Sequence, residues 1–259
     1  MKLLKGKKGL VMGIANERSI AWGIANEAYN QGAELCLTYQ NDIFKERISK
    51  LGKTINCYNI LECDVEKIAD IKKLFRSLKK RWNKIDFIIH ALAFSDKNEL
   101  KGNFYNTSKS NFRKTLLIST FSLTEITREA QNLMSANGGS ILTLSYIGGN
   151  RTTPNYNIMG VAKSALEASV RYLSVDLGKK NIRVNSLSSG PMRTLAGSAI
   201  TGARHIFRHS ERNSPLERNP SLIEVSKSAI YLISDLSSGV TGENHFVDGG
   251  YNITAIPKE

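Results

Sequence analysis

The sequence predicts a single α/β domain, a doubly wound sheet of seven parallel strands flanked by helices. Short β-rich runs alternate with segments of helical periodicity from end to end, which is typical of parallel strands joined by right-handed crossovers. The runs FIIHA and ILTLS are continuously apolar, as expected of strands that are covered on both faces. No repeat, low-complexity tract or linker divides the 259 residues, so we expect one domain over residues 1–259.

The predicted elements follow in order along the chain. Runs rich in β-branched and aromatic residues predict strands at GLVM near residue 9, ELCLTY at 34, INCYNI at 55, IDFIIHA at 85, SILTLS at 140, IRVNSLS at 182 and NHFVDG at 244. Helical apolar periodicity predicts helices over Ser19 to Gln31, Ile68 to Arg81, Asn111 to Ser135, Val161 to Leu177 and Leu222 to Ser234. The least regular stretch, Leu195 to Pro220, is rich in Gly, Ser, Arg and His, and we expect a mobile segment over a site there.

Composition argues against several classes of protein. No apolar run approaches the roughly 20 residues that a membrane helix needs, and no signal-peptide cleavage site precedes the first strand. We therefore expect a cytoplasmic protein without a membrane partner. Cys36, Cys57 and Cys63 lie in apolar surroundings without CxxC spacing, which favours reduced, buried thiols over disulfides or a zinc site.

Basic residues outnumber acidic ones, 36 against 23, which favours an acidic partner. They are scattered, with short clusters at Lys5 to Lys8, Lys79 to Lys84 and Arg204 to Arg218, and no nucleic-acid-binding motif accompanies them. We therefore expect no nucleic-acid partner. His205 and His209 lie four residues apart, but neither a third ligand nor an HExxH motif is present, so we expect no metal.

The segment after the first strand, GIANERSIAWGIA, has the physical features of a phosphate-binding turn without the GxGxxG pattern. Gly13 permits a tight turn, Ser19 can cap the next helix, and Gly23 lets that helix approach the sheet. A diphosphate would then bind backbone N–H groups at the positive end of the helix, as in a Rossmann-type dinucleotide site. A plain strand-turn-helix with a packing glycine is the alternative interpretation.

The ends of the following strands extend the candidate dinucleotide site. Gln40 follows the second strand, where an acidic residue commonly holds the adenosine ribose. The Gln40 amide neither repels a 2′-phosphate, as a carboxylate would, nor binds it strongly, as an arginine would. This position therefore distinguishes NADH from NADPH only weakly. Asp64 and Val65 follow the third strand, where a carboxylate can meet the adenine amino group. HALAF after the fourth strand leaves room for a flat ring, and we interpret His90 there as a core histidine.

Tyr146, Tyr156 and Lys163 lie together at a strand-to-helix junction. If a helix begins near Tyr156, Lys163 lies seven positions later, about 1.9 turns away and on the same face. A neighbouring ammonium stabilises a phenolate and would lower the tyrosine pKa from its usual value of about 10. The pair suits hydride transfer, with the tyrosine stabilising an oxyanion. Taken alone, the segment also fits a tyrosine at a helix cap and a surface lysine.

Five segments together resemble one family. GIANERSIAWGIA, HALAFS, SYIGGNRTTPNYNIMGVAKSALEASVRYLSVDLG, RVNSLSSGPMRTLA and SDLSSGVTGENHFVDGGY closely resemble the NADH-dependent enoyl-acyl-carrier-protein reductases of bacterial type II fatty acid synthesis, over essentially the whole chain. This divergent branch of the short-chain dehydrogenases is marked by Tyr-x6-Lys with a second tyrosine ten residues upstream, as at Tyr146, Tyr156 and Lys163. The ordinary Tyr-x3-Lys occurs here only in YNTSK, Tyr105 to Lys109, which precedes a helix instead of following the fifth strand.

The resemblance implies hydride transfer from NADH to the β-carbon of a trans-2-enoyl thioester. It further implies that Tyr156 hydrogen-bonds the enolate oxygen, Lys163 holds the nicotinamide ribose and Tyr146 lines the acyl pocket. The implied cofactor-binding residues are Gly13, Ser19, Ile20, Gln40, Asp64, Val65, Leu92, Lys163, Met192 and Thr194. The implied substrate-binding residues are Phe94, Ser95, Tyr146, Tyr156, Met159, Ala196, Ile200, Ala203 and Ile206. The resemblance further implies a substrate loop at about residues 195–220, carrier-protein docking on Arg204, His205 and Arg208, and a homotetramer assembled through helices 111–135 and 161–177.

Other hypotheses remain open. A 3-ketoacyl or other carbonyl reductase would share the fold and cofactor, but it is disfavoured because Tyr-x3-Lys is absent from the junction. A nucleotide-binding regulatory or nucleic-acid-binding protein without catalysis is disfavoured because both tyrosines and the lysine are present. NADH/NAD+ is the expected cofactor, with NADPH the disfavoured alternative.

Overall fold

Seven parallel strands form one sheet in the computed structural model, which describes residues 2–134, 138–198, 200–256 and 258. The strands are β1 Lys8–Met12, β2 Glu34–Tyr39, β3 Ile60–Glu62, β4 Phe87–His90, β5 Gly139–Ser145, β6 Ile182–Ser189 and β7 Asn244–Val247. Their order is β3-β2-β1-β4-β5-β6-β7, so the winding direction reverses between β1 and β4. In open α/β sheets, dinucleotides bind outside the strand ends at this reversal. The predicted doubly wound Rossmann-type fold is confirmed.

Helices cover both faces of the sheet. They are α1 Ile20–Asn30, α2 Asp42–Thr54, α3 Ile68–Trp82, α4 Lys109–Leu116, α5 Ser122–Ala130, α6 Asn157–Gly178, α7 Leu195–Ser198, α8 Ala203–Asn213 and α9 Leu222–Ile233. Buried residues of α3, α5 and α6 form the core on one face, and those of α1, α2 and α9 form the core on the other. In the part of the chain that is described, no helix combines the length and apolarity needed to cross a bilayer.

The central strands supply apolar side chains to both cores. Along β1, Leu10 and Met12 belong to the core under α3, α5 and α6, whereas Val11 belongs to the opposite core. The same alternation in β4 places Ile88 in the first core and Ile89 in the second. Because successive side chains of a strand point to opposite faces, a continuously apolar run is what a two-sided core requires.

The third strand begins later than predicted. INCYNI at residue 55 was expected to form it, but β3 starts at Ile60. The backbone N–H groups of Ile55 and Cys57 instead donate to Gly52 O at 3.1 and 2.8 Å and close the end of α2. That helix was not predicted; most of its residues face solvent, and its buried residues are only Ile48 and Gly52.

The predicted helix from Asn111 to Ser135 is divided in the structure. A π-helical turn over Leu117–Phe121 separates α4 from α5, and α5 ends at Ala130, while Ser135 lies outside the described residues. Helical periodicity continues through such a turn, so the sequence does not reveal it. Single π turns inside helices are frequent at functional sites, and this one places Ser119 beside the candidate site described below.

The stretch from Leu195 to Pro220 is more regular than predicted. It contains α7 and the three-turn helix α8, with Ala199 outside the described residues. Gly202, at φ 81°, precedes α8 in the left-handed conformation that favours glycine. The segment therefore contains two helices, and its mobility stays a prediction.

The three cysteines are free and buried, as predicted. Burial raises the pKa of the Cys63 thiol to about 12, so it stays a neutral thiol at physiological pH.

Candidate active site

The turn between β1 and α1 requires glycine at residue 13. Gly13 has φ 93°, and a Cβ atom there would lie 2.0 Å from the carbonyl oxygen of Ala91, just beyond β4. The turn thus runs in backbone contact with the end of β4, on the side where the winding reverses. This close approach meets one requirement of a phosphate-binding turn.

Ser19 shapes this turn in a different way from the prediction. It occupies the N-cap position of α1, but its side chain makes no capping hydrogen bond to the helix. Its Oγ atom instead accepts from the backbone N–H groups of Ala15 and Asn16, both at 3.0 Å. The predicted side-chain cap is wrong, since the hydroxyl folds back onto the turn. The first turn of α1 also carries no acidic residue, so its positive end suits a diphosphate.

Gly23 packs α1 against α9, which corrects the prediction of close approach to the sheet. A Cβ atom at this position would lie 2.6 Å from Ser226 Oγ and 2.7 Å from Leu222 Cδ1, both on α9. The glycine therefore sets the spacing of two helices that cover the same face of the sheet.

Polar contacts join the ends of β2 and β3 to each other and join α2 to the turn after β1. Gln40 Nε2 donates to Asp64 Oδ1 at 3.4 Å, and the Arg47 guanidinium donates to Ala15 O at 3.1 Å. Val65 is buried in the core, and Leu92 packs against the same core. The predicted adenosine-binding residues thus lie at the carboxyl ends of adjacent strands.

His90 is a core histidine, as interpreted from the sequence. Its Nδ1 atom lies 3.0 Å from Thr143 Oγ1 and its Nε2 atom 2.8 Å from Ser122 Oγ, and the side chain is fully buried. Burial, reinforced by the charge of Lys163, lowers the pKa of His90 to about 3. The imidazole is therefore neutral at physiological pH.

Tyr146 and Tyr156 form an edge-to-face pair whose ring centroids are 5.1 Å apart. Gly148 makes room for them, because a Cβ atom there would lie 2.5 Å from the Tyr156 ring and 3.2 Å from the Tyr146 ring. Burial raises the pKa of Tyr156, and Tyr146 and Glu167 add to the rise. The predicted lowering of the Tyr156 pKa is wrong for this structure, since burial of the phenol raises it. Tyr156 is therefore a protonated donor.

Lys163 lies in α6, about two turns beyond Tyr156. Its side chain is buried, and its Nζ atom donates to Leu144 O of β5 at 2.6 Å. Burial lowers the pKa of Lys163 to about 8, opposed by the negative charge of Glu167. The lysine thus remains largely charged at neutral pH beside the end of β5.

An apolar cluster surrounds Tyr156. Its buried members include Leu100 and Met159, and Tyr146 and Ile200 pack against them. Phe94 joins the site through the π-helical turn, because its backbone N–H donates to Ser119 Oγ, which in turn lies 3.9 Å from Met159 Sδ. The structure thus brings together predicted substrate-binding residues from three distant parts of the chain.

The remaining predicted residues lie outside this cluster. Ser95 Oγ contacts Asn111 Oδ1 at 3.4 Å, and Thr194 Oγ1 accepts from Gly197 N at 3.0 Å. Ile20 and Met192 pack against the core under α1 and α9. Among the described residues, Ala196 of α7 and Ala203 and Ile206 of α8 are not members of the cluster. The predicted docking residues Arg204, His205 and Arg208 are exposed on α8.

Comparison with known proteins identifies the family. The sequence model described as "Enoyl-(Acyl carrier protein) reductase" matches residues 13–252. The chain belongs to this family. It is 53% identical to enoyl-[acyl-carrier-protein] reductase [NADH] 2 of Rhizobium meliloti, over 98% of this chain and 95% of the relative. It is 51% identical to the corresponding NADH enzyme of Rickettsia bellii, over 99% and 97% of the two chains.

Solved structures of enoyl-acyl-carrier-protein reductases share the whole fold. The enzyme of Candidatus Liberibacter asiaticus superposes with a TM-score of 0.97 at 50% identity, covering 100% of both chains. The enzyme of Anaplasma phagocytophilum, solved in complex with NAD, gives a TM-score of 0.96 at 48% identity, covering 99% of this chain and 98% of that one. The resemblance inferred from the sequence is confirmed.

Two residues of this reductase site were not predicted. Leu100 packs against Tyr156, but it lies in an irregular stretch whose sequence carries no periodic signal. Glu167 is a buried carboxylate that accepts from Ser145 Oγ at 2.5 Å. Its position four residues after Lys163, on the same helical face, was the available signal.

Proposed function

We infer that this protein is an NADH-dependent enoyl-acyl-carrier-protein reductase that converts a trans-2-enoyl thioester to the saturated thioester. The observation that carries the inference is the pairing of buried Tyr156 with Tyr146, beside buried Lys163, at the carboxyl end of β5 in a member of this family. Tyr105 of the YNTSK sequence is 80% exposed and lies in a separate turn. It therefore offers no alternative site for a carbonyl reductase.

The residues around the β1–α1 turn fit a dinucleotide. Gly13 provides the tight turn and Ser19 folds it, so that a diphosphate reaches the N-terminal end of α1. Gln40, Asp64 and Val65 would hold the adenosine, and Met192 and Thr194 the carboxamide. NADH bound in this position supplies the hydride. We propose these assignments by residue, together with Ile20, Leu92 and a contact from Lys163 to the nicotinamide ribose.

The chain's own residues stabilise the charge that develops on the substrate. As hydride adds to the β-carbon, negative charge accumulates on the thioester carbonyl oxygen, and a proton from solvent then adds at the α-carbon to give the saturated thioester. The protonated phenol of Tyr156 donates a hydrogen bond to that oxygen, and the Lys163 ammonium stabilises the same charge. Tyr146, Met159 and Ile200, with Leu100, surround the acyl chain and exclude water from it.

Substrate choice tests this function. We expect the purified protein to oxidise NADH in the presence of a trans-2-enoyl thioester and not with a matched 3-ketoacyl thioester. Absorbance of NADH at saturating cofactor measures both rates. Consumption of the ketoacyl substrate alone would contradict double-bond reduction, while leaving the fold and the cofactor assignment unaffected.

We also propose that the exposed basic residues of α8 dock the acidic carrier protein. Arg204 and Arg208 lie one turn apart, with His205 between them. We expect the double variant Arg204→Glu, Arg208→Glu to raise KM for the enoyl-carrier-protein about tenfold at low salt, because surface charge reversal chiefly weakens encounter. KM for the enoyl-coenzyme A thioester should stay unchanged.

A charge reversal elsewhere provides the matched control for docking. Lys79 is an exposed residue of α3, on another part of the surface. Lys79→Glu should leave KM for both substrates at the value of the unmodified protein. Equal KM increases for the carrier-protein and coenzyme A substrates in the α8 variant would contradict docking, because they would indicate damage to the acyl pocket.

We further propose one domain over residues 1–259, a homotetramer and a cytoplasmic location. The exposed apolar side chains of Val161, Tyr172 and Val175 share one face of α6. Phe112 of α4 and Phe121 of the π turn are also exposed, on elements that contact α6. Such a face supports association between subunits. Three free thiols support a reducing compartment.

A further inference from the structure

Glu167 is a buried carboxylate in the wall of the candidate active site. Only 4% of the residue is exposed, and its Oε1 atom accepts a hydrogen bond from Ser145 Oγ at 2.5 Å. A buried charge is costly unless nearby groups compensate it. The groups that surround Glu167 are those to which the reductase mechanism assigns the chemistry.

Two parallel contacts tie the end of β5 to successive turns of α6. Lys163 Nζ donates to Leu144 O at 2.6 Å, and the next residue, Ser145, donates to Glu167. Tyr146 follows directly and packs against Tyr156. The carboxylate therefore holds the strand end from which both the Lys163 acceptor and the Tyr146 ring project.

The turn after β5 is built to fit against this carboxylate. A Cβ atom at Gly149 would lie 2.8 Å from Glu167 Oε1 and 3.2 Å from Lys163 Cβ. Glycine thus lets the backbone close over both side chains. Glu167 and Lys163, which lie one turn apart, are covered by the same residue.

We propose that Glu167 is a positioning residue that fixes the end of β5 and keeps the two proton-bearing groups of the site, the Lys163 ammonium and the Tyr156 phenol, in their protonated forms. The proposal rests on the reductase function inferred above. Through-space attraction stabilises the ammonium, and repulsion disfavours the phenolate. Both effects come from one negative charge.

The direction of the electrostatic effects agrees with this geometry. Glu167 opposes the burial that lowers the pKa of Lys163 to about 8, and it adds to the rise in the pKa of Tyr156. From β4, His90 faces Lys163 but is neutral at physiological pH. On α6, the Arg171 guanidinium donates to the backbone oxygen of Glu167 at 3.3 Å.

Glu167→Gln provides the test, through the pH profile of kcat/KM for the enoyl thioester. Without the carboxylate the pKa of Lys163 falls further, so the ammonium is lost at lower pH. We expect the alkaline limb to move down by about one pH unit. Glu167→Asp keeps the negative charge but places it farther from Lys163. It should therefore shift the alkaline limb by less than Glu167→Gln does.

Two further variants separate charge from packing. Ser145→Ala retains the carboxylate and should lower kcat/KM about fivefold at every pH without moving the limb. Asp176→Asn removes an exposed carboxylate from the same helix and should change neither quantity. A uniform loss in Glu167→Gln with an unmoved limb would overturn the proposal. If Glu167→Gln does not fold, an unmoved limb in Glu167→Asp has the same meaning.

A titration of the cofactor-free protein distinguishes this proposal from the function on which it rests. Lysines labelled with 13C at Cε report ammonium ionisation by NMR, and the Lys163 resonance is the one missing from Lys163→Arg. We expect its midpoint at lower pH in Glu167→Gln than in the unmodified protein, and an equal midpoint would contradict the proposal. A wild-type protein that fails to reduce enoyl thioesters would remove the function while leaving this titration interpretable.

Discussion

Tyr156→Phe should lower kcat/KM for a trans-2-enoyl thioester by about 10²- to 10³-fold, the usual cost of removing one donor to a developing oxyanion. The ring would remain against Tyr146 and the apolar cluster, so the change removes one hydroxyl and little packing. Because that hydrogen bond strengthens only as negative charge develops, the loss should appear mainly in kcat. Steady-state kinetics with saturating NADH measure it.

Tyr146→Phe is the matched control for this prediction. It removes a hydroxyl from the other ring of the same pair, where the proposed role is to line the acyl pocket. We expect a loss of less than tenfold. If Tyr156→Phe kept its activity within threefold of the unmodified protein, Tyr156 would not be the proposed hydrogen-bond donor. Equal losses in the two variants would contradict a distinct role for Tyr156 and indicate that both hydroxyls contribute equally.

Gly13→Ala should destabilise the fold by about 3 kcal/mol, since overpacking costs about 1–3 kcal/mol and a left-handed backbone about 1–2 kcal/mol more for an L residue. The added methyl would lie 2.0 Å from the Ala91 carbonyl oxygen, at φ 93°. Relief of this contact moves the turn away from β4. We therefore also expect the Kd for NADH to rise more than tenfold, as measured by fluorescence titration.

Gly6→Ala separates backbone strain from the steric contact. Gly6 has φ 75°, but a Cβ atom there would meet nothing within 4 Å. The variant should lose only the strain contribution and bind NADH normally. If Gly13→Ala were no less stable than Gly6→Ala and bound NADH equally well, the close contact with Ala91 would not control the cofactor site.

The sheet was predictable because its strands are apolar on both sides and its helices are periodic. The carboxyl ends of the neighbouring strands β1 and β4 lie at the same edge of the sheet. Gly13 and the residues after His90 could therefore be assigned to one crevice. By contrast, α2 was missed because most of it faces solvent. The π-helical turn at Leu117–Phe121 was missed because its pattern is that of a continuous helix.

The chemistry of the site was only partly predictable, because sequence spacing carries no information about desolvation. The spacing of Tyr156 and Lys163 along the start of α6 was predicted correctly. The predicted direction of the shift in the Tyr156 pKa was wrong. Burial of the phenol by Leu100 and Ile200 comes from segments distant in sequence. The hydrogen bonds of Ser19 were also not predictable from spacing, because its hydroxyl accepts from the N–H groups of Ala15 and Asn16 and not from those of α1.

The proposed reaction reduces a carbon-carbon double bond by hydride addition at the β-carbon. The reaction is run with a trans-2-enoyl thioester and NADH deuterated at the transferable position of the nicotinamide ring. Mass spectrometry and NMR then locate the deuterium in the product. We expect a saturated acyl thioester with one deuterium on the β-carbon. Deuterium on the α-carbon, or an enoyl thioester recovered unchanged while a ketoacyl thioester gains a deuterated hydroxyl-bearing carbon, would contradict it.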